Sequence, residues 1–252
     1  MKILPTIGPA SEKLNDLKFL FKYCSMARLN TSHNNISWHK KVIKLIKRVD
    51  KNIDILVDIP GVKPRTNNKK NIYLKKNNII KFGYNLKKRN EVYIELTRKL
   101  PHRKGTLNKF FSLDDGKIIF KTIKFTKNEI VGKALHDCII QPKKGLNIPN
   151  SIYDNYEQKK VYIEYLKKFE KTNINAVGLS FVQNKELIVL LKKKFSKFLM
   201  ISKIENSEGL KNAEEICKYS DAIMIDRGDL SAEIGDSNLY EAILKISKLT
   251  KK

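Results

Sequence analysis

FLMISKIENSEGLKNAEEICKYSDAIMIDRGDLSAEI, residues 198–234, shows the architecture most plainly. Phe198–Lys203 is an apolar run closing on Ser and Lys, as a buried parallel strand would be. Ser207–Tyr219 follows with helical spacing, and Ala222–Ile225 turns apolar again before the charged DRGDLSAE. Strand, helix, strand in that order predicts a parallel sheet with helical crossovers. Outward from this stretch the alternation continues. Asn238–Leu249 reads as a last helix. Tyr156–Phe169, Ala176–Phe181 and Asn184–Phe195 read as helix, strand and helix before it.

The same alternation opens the chain. Lys2–Ile7, Ser25–Asn30 and Ile53–Asp58 read as strands, and Glu12–Tyr23 and Ile36–Val49 as helices with apolar residues on one face. Residues 67–142 differ. They carry short alternating runs at Asn71–Lys75, Ile79–Tyr84, Glu91–Leu96, Lys117–Ile123 and Glu129–Leu135, with no helical period. The predicted organisation is α/β, with residues 1–66 and 143–252 forming six β/α units and residues 67–142 an inserted small β domain.

The 252 residues include 51 Lys and Arg against 26 Asp and Glu, a net charge of +25. Anionic partners are the first expectation from such a balance. The surplus runs along the whole chain with abundant Asn and Ile, so it reads as compositional bias and argues against a nucleic-acid footprint, which clusters. No run approaches the ~18 apolar residues of a membrane span, and the N-terminus lacks a signal-peptide core. Three cysteines without a CxxC pattern fit a reducing compartment. These features predict a cytoplasmic protein with no membrane partner.

In parallel α/β folds, ligands gather at the carboxyl ends of the strands. Here those ends read TIGPAS (6–11), ARLNTSH (27–33), DIPGVKPRT (58–66), LSFV (179–182), SKIEN (202–206) and DRGDLSAE (226–233). All are polar, charged or Gly-rich. Glu205 and Asp229 each follow a strand and could share a hard divalent cation such as Mg²⁺. Taken singly, each is better explained as a first-turn or capping acid of a helix. Lys203 lies two residues before Glu205, so both can face one side of an extended segment. A lysine there can stabilise a transferring phosphoryl group, and Arg28 and Arg65 can fork onto phosphate.

Taken in order, TIGPAS, ARLNTSH, the strand ending D-x-x-G-x-x-x-R-T, the DDG of the inserted domain (114–116), KKGLNIP (143–149), SKIENSEGL and MIDRGDLSAEI resemble pyruvate kinase from the first strand to the last helix. The resemblance implies an incomplete pyruvate-kinase-type (β/α) barrel with an inserted β lid. It implies phosphoryl transfer between phosphoenolpyruvate and ADP, giving pyruvate and ATP. Lys203 and Arg28 then match the catalytic cations beside the phosphoryl group. Glu205 and Asp229 match the ligands of Mg²⁺ or Mn²⁺. Arg227, Gly228 and Asp229 match the loop receiving the substrate carboxylate, and Ser180 and Phe181 the wall beneath it. His33, Arg65 and Lys144 match groups near the nucleotide phosphates, Asn30, Ser32 and Asp58 the monovalent-cation pocket, and Asp115 the lid.

The chain departs from the family pattern at several positions. Ile59 and Pro60 stand where the family has Thr and Lys, and Asp226 and Ser231 stand where it has a small residue and Gly. Lys63 replaces a Glu associated with K⁺ dependence, so its ammonium is expected to stand in for K⁺. The family's last two barrel strands, a catalytic Thr and the C-terminal domain have no counterpart in these 252 residues. Exposed sheet edges would then favour a homo-oligomer. Two other functions fit the same residues. One is enolpyruvate or oxo-acid chemistry on the same metal site. The other is a non-catalytic nucleotide- or anion-binding remnant.

Overall fold

A computed structural model describes residues 3–85, 92–103 and 109–250. The chain opens with α1 (Leu14–Leu20), β1 (Met26–Asn30), α2 (Ile36–Val49) and β2 (Asp54–Ile59). Short strands follow: β3 (Ile72–Leu74), β4 (Ile79–Gly83), β5 (Tyr93–Glu95), β6 (His102–Arg103), β7 (Phe110–Leu113), β8 (Ile118–Phe125), β9 (Glu129–Ala134), β10 (Cys138–Ile140), β11 (Leu146–Asn147) and β12 (Ser151–Ile152). Alternation resumes with α3 (Asn155–Phe169), β13 (Ala176–Leu179), α4 (Lys185–Lys194), β14 (Leu199–Ile204), α5 (Ser207–Lys211), α6 (Ala213–Tyr219) and β15 (Ala222–Ile225). Two helices end the described chain, α7 (Arg227–Ile234) and α8 (Asp236–Leu249). Two compact units emerge: Met1–Gly61 with Asn155–Lys203 and Glu214–Met224, and Val62–Asp154 with Ile204–Ala213 and Ile225–Lys252.

The first unit is built on a sheet of order β1-β2-β13-β14-β15, in which β1–β2, β2–β13 and β13–β14 pair in parallel. Strand order follows chain order without reversal, the winding of a β/α barrel and not of a doubly wound sheet. Residues 55–59 of β2 are all buried, as expected of a strand covered on both faces. The helix over Ile36–Val49 forms as its spacing predicts. Asn35 caps it by accepting from Trp38 N at 2.8 Å, and Val42, Ile43 and Ile46 fill its buried stripe. The strand expected at Lys2–Ile7 is a short parallel bridge in which Ile7 N donates to Arg28 O and Arg28 N to Pro5 O; Lys2 lies outside the described residues.

The second unit contains a six-stranded sheet of order β11-β7-β8-β9-β4-β5 and the pairs β3–β10 and β6–β12. Its core centres on Phe82, Phe111 and Phe120, with Phe111 and Phe120 stacked at 5.1 Å between centroids. Gly132 of β9 faces that stack, and a Cβ there would meet the Phe111 ring at 2.5 Å. The alternating runs read from sequence fall on β3, β4, β5, β8 and β9, except that Glu91 lies outside the described residues. Two details differ from expectation. The helix expected over Ser207–Tyr219 breaks at Asn212 into α5 and α6, and DRGDLSAE is largely a helix, α7. Among the described residues, no helix is long and apolar enough to cross a membrane.

Candidate active site

In the first unit, charge converges on Asp58, near the carboxyl end of β2. Its register partners are Asn30 on β1 and Gly178 on β13. Glycine at 178 makes the close approach possible, since a Cβ would lie 3.2 Å from Asp58 Oδ1. The carboxylate is 1% exposed. Arg28 donates to Asp58 Oδ2 through Nε at 3.0 Å and Nη2 at 2.5 Å, and to Thr6 Oγ1 through Nη1 at 2.9 Å. Lys203, also buried, lies 3.2 Å from Asp58 Oδ2 and donates to Ser180 Oγ at 3.2 Å. Ser180 Oγ in turn donates to Asp58 Oδ1 at 3.4 Å. Two cations thus share one buried carboxylate. A preorganised cationic group of this kind suits charge developing on phosphoryl oxygens.

The second unit gathers the acids. Glu205, Asp226 and Asp229 each offer a carboxylate oxygen, all within 4.8 Å of one another. Glu205 is buried; Asp226 and Asp229 are partly exposed. Asp226 caps α7, its carboxylate accepting from Asp229 N at 3.5 Å. Lys63 ion-pairs with Asp229, donates to Asn147 Oδ1 at 2.9 Å and lies 3.5 Å from Asp115. Asn147 Nδ2 also donates to Asp229 Oδ1 at 3.2 Å. Gly145 leaves room for this lysine, because a Cβ would sit 2.9 Å from Lys63 Nζ. The concentrated negative charge acts on its neighbours. Burial, opposed by bonds to Ser207 and by the charge of Lys63, pushes the Glu233 carboxyl up to about 8. Burial, helped by Glu233, Asp229 and Glu205, raises the Tyr153 phenol well above its ordinary range.

The remaining residues expected from sequence are placed as follows. In the first unit, Asn30 Oδ1 accepts from Ser32 N at 3.0 Å, and His33 O bonds the buried ring of His39 at 2.8 Å. Phe181 stands beside Ser180 with φ +59°. In the second, Arg65 Nη1 donates to Lys143 O at 3.1 Å and Lys144 pairs with Asp114 at 3.0 Å. Gly228 sits against Asp115, and Arg227 is exposed at the start of α7. Arg28, Asp58, Ser180 and Lys203 therefore form one group, and Lys63, Asp115, Glu205 and Asp229 lie in the other unit. Asn147, Gln158, Tyr162 and Glu233 were not anticipated. All four are buried; Asn147 and Glu233 lie within KKGLNIP and DRGDLSAE, whereas Gln158 and Tyr162 lie on a helix that carries no motif.

The pyruvate kinase barrel-domain family matches residues 1–251. The chain belongs to that family. The pyruvate kinase of Buchnera aphidicola subsp. Schizaphis graminum is 32% identical over 274 residues, covering 100% of this chain and 56% of that protein. Those of Methanocaldococcus jannaschii and Staphylococcus aureus (strain MRSA252) are each 32% identical; they cover 94% and 92% of the chain and 51% and 42% of their own lengths. The chain spans about half the length of these pyruvate kinase relatives.

Proposed function

We propose that this chain carries the phosphoryl-transfer chemistry of its family, moving a phosphoryl group between phosphoenolpyruvate and ADP. The observation that carries the reading is the pairing of buried Lys203 and Arg28 on one carboxylate, Asp58, beside Ser180. In the forward direction the bond from phosphorus to the enolate oxygen breaks. A bond forms to a terminal oxygen of ADP, and the enolate then takes up a proton to become pyruvate. Lys203 and Arg28 would steady the equatorial oxygens as charge shifts between donor and acceptor.

Glu205, Asp226 and Asp229 suit Mg²⁺ or Mn²⁺, because clustered carboxylate oxygens are hard donors. Such an ion supplies Lewis-acid polarisation of the substrate oxygens when bound. The start of α7, with Arg227 and Gly228, would receive the substrate carboxylate. His33, Arg65 and Lys144 would serve the nucleotide phosphates, and Asp115 the lid. Lys63 places a fixed ammonium against Asp229 and Asp115. By its match to the family position, Lys63 would supply the charge of K⁺, the ion that Asn30, Ser32 and Asp58 would otherwise hold.

The test is pyruvate formation from phosphoenolpyruvate and ADP, with and without Mg²⁺. Mg²⁺-dependent pyruvate and ATP in equal amounts are expected. Pyruvate without ATP would instead indicate enolpyruvate or oxo-acid chemistry, and no turnover a binding role.

A further inference from the structure

The turn after β13 is held from several sides. Phe181 has φ +59°, a left-handed backbone that a bulky side chain adopts only when its surroundings over-determine it. The carbonyl of Ser180 accepts from Gln158 Nε2 at 2.6 Å and from Tyr162 Oη at 2.6 Å. Gln158 Nε2 also bonds Tyr162 Oη and reaches Phe181 O at 3.5 Å. Opposite them, a Cβ at Gly61 would stand 2.9 Å from Ser180 O and 2.9 Å from Phe181 Cδ2. Only glycine lets the two segments approach so closely.

This turn touches Lys203 at both its side chain and its backbone. Lys203 Nζ donates to Ser180 Oγ at 3.2 Å, and Val182 N donates to Lys203 O at 3.2 Å. Gln158 and Tyr162 lie one helical turn apart on α3, 1% and 0% exposed, on a face shared with Val161, Leu166 and Phe169. Packing alone would be served there by Leu and Phe. An amide and a hydroxyl are costly to bury unless hydrogen bonds compensate them, and here both converge on the Ser180 carbonyl.

We propose that Gln158 and Tyr162 are positioning residues for Lys203, fixing the Ser180–Phe181 turn so that Ser180 Oγ holds the lysine ammonium against Asp58. The proposal rests on the reading of Lys203 as the catalytic cation.

The test compares wild type with Tyr162→Phe, Gln158→Leu and the double variant, each shown to be folded by its circular dichroism melt. With phosphoenolpyruvate, ADP and Mg²⁺, the double variant is expected to lose about 10²-fold in kcat, as small misplacements of a catalytic group do. KM for phosphoenolpyruvate stays within about threefold, since the lost contact matters chiefly in the transition state. A lowered melting temperature with kcat unchanged well below it would mark the pair as merely structural and overturn the proposal.

A second readout does not depend on turnover. Reductive methylation by formaldehyde and cyanoborohydride is followed at individual lysines by mass spectrometry, with buried Lys63 as the internal reference. Labelling of Lys203 is expected to rise about tenfold in the double variant while Lys63 keeps its wild-type rate, as local opening requires. Unchanged labelling of Lys203, or equal acceleration at both lysines, would overturn the proposal. If wild type shows no turnover yet Lys203 labelling rises selectively, the positioning role stands and the phosphotransferase reading falls.

Discussion

Asp58 faces two cations, so its removal and theirs have different consequences. Asp58→Asn leaves Arg28 and Lys203 without their shared counter-charge; Lys203→Met still leaves Asp58 its bond to Arg28. Losing one partner of a buried ionic cluster costs about 3–5 kcal/mol. Asp58→Asn is therefore expected to lower unfolding stability in urea by that order, and Lys203→Met by clearly less. Equal losses would contradict the arrangement. Glu233 gives a second prediction. Its Oε2 accepts from Ser207 Oγ at 3.1 Å, and its Oε1 has no hydrogen-bond partner among the described residues. Its pKa of about 8 in the folded chain stands above the ordinary 4.5. Between those values the folded state holds a proton that the unfolded state has released. Stability is therefore fully present below the lower value and is lost as pH rises through the upper one. The loss is at most about 1.4 kcal/mol per pH unit. In EDTA, urea unfolding at pH 5 and pH 8 is expected to show this decline in wild type and a flatter profile in Glu233→Gln. Identical profiles would contradict a buried, neutral carboxyl.

Elements differ in how much of them the sequence displayed, and the differences have physical causes. α2 was legible because Val42, Ile43 and Ile46 repeat at helical spacing. α7 was not, because its buried residues are Leu230 and Glu233, one apolar and one acidic, which leave no stripe to read. Strands β6, β11 and β12 have two residues each, too few for alternation to stand out. At the site, Asp58 and Lys203 were legible as charges closing otherwise apolar strands. Gln158 and Tyr162 were not, since a polar pair on a lysine-rich helix looks solvated until its partner carbonyl is known. In the six-stranded sheet, Gly132 makes a sharper claim. A methyl group at 2.5 Å from the Phe111 ring cannot be accommodated without moving the stacked pair. Gly132→Ala is expected to destabilise the second unit by roughly 1–3 kcal/mol. Hydrogen exchange should quicken in β7–β9 while β2 and β13 keep their protection. Unaltered protection in β7–β9 would show that the stack yields freely.

For the whole molecule, function turns on where fixed charge sits. The first unit carries its cations on a buried carboxylate, and the second carries three clustered carboxylates with Lys63 against one of them. Lys63→Glu would reverse that local charge and create a need for an added monovalent cation. At constant ionic strength, wild-type turnover is expected to be flat from zero to physiological K⁺, and the variant's to rise with K⁺. A steep rise in wild type would show that Lys63 does not substitute for the ion. Whether Lys203 stabilises a phosphoryl group in transfer is read from kcat for ATP formation from phosphoenolpyruvate and ADP in wild type and Lys203→Met under saturating Mg²⁺. Wild type is expected to show Mg²⁺-dependent turnover and the variant a loss of at least ~10²-fold, the usual consequence of removing a preorganised electrostatic stabiliser. A folded Lys203→Met variant that keeps most of the wild-type rate would contradict that role.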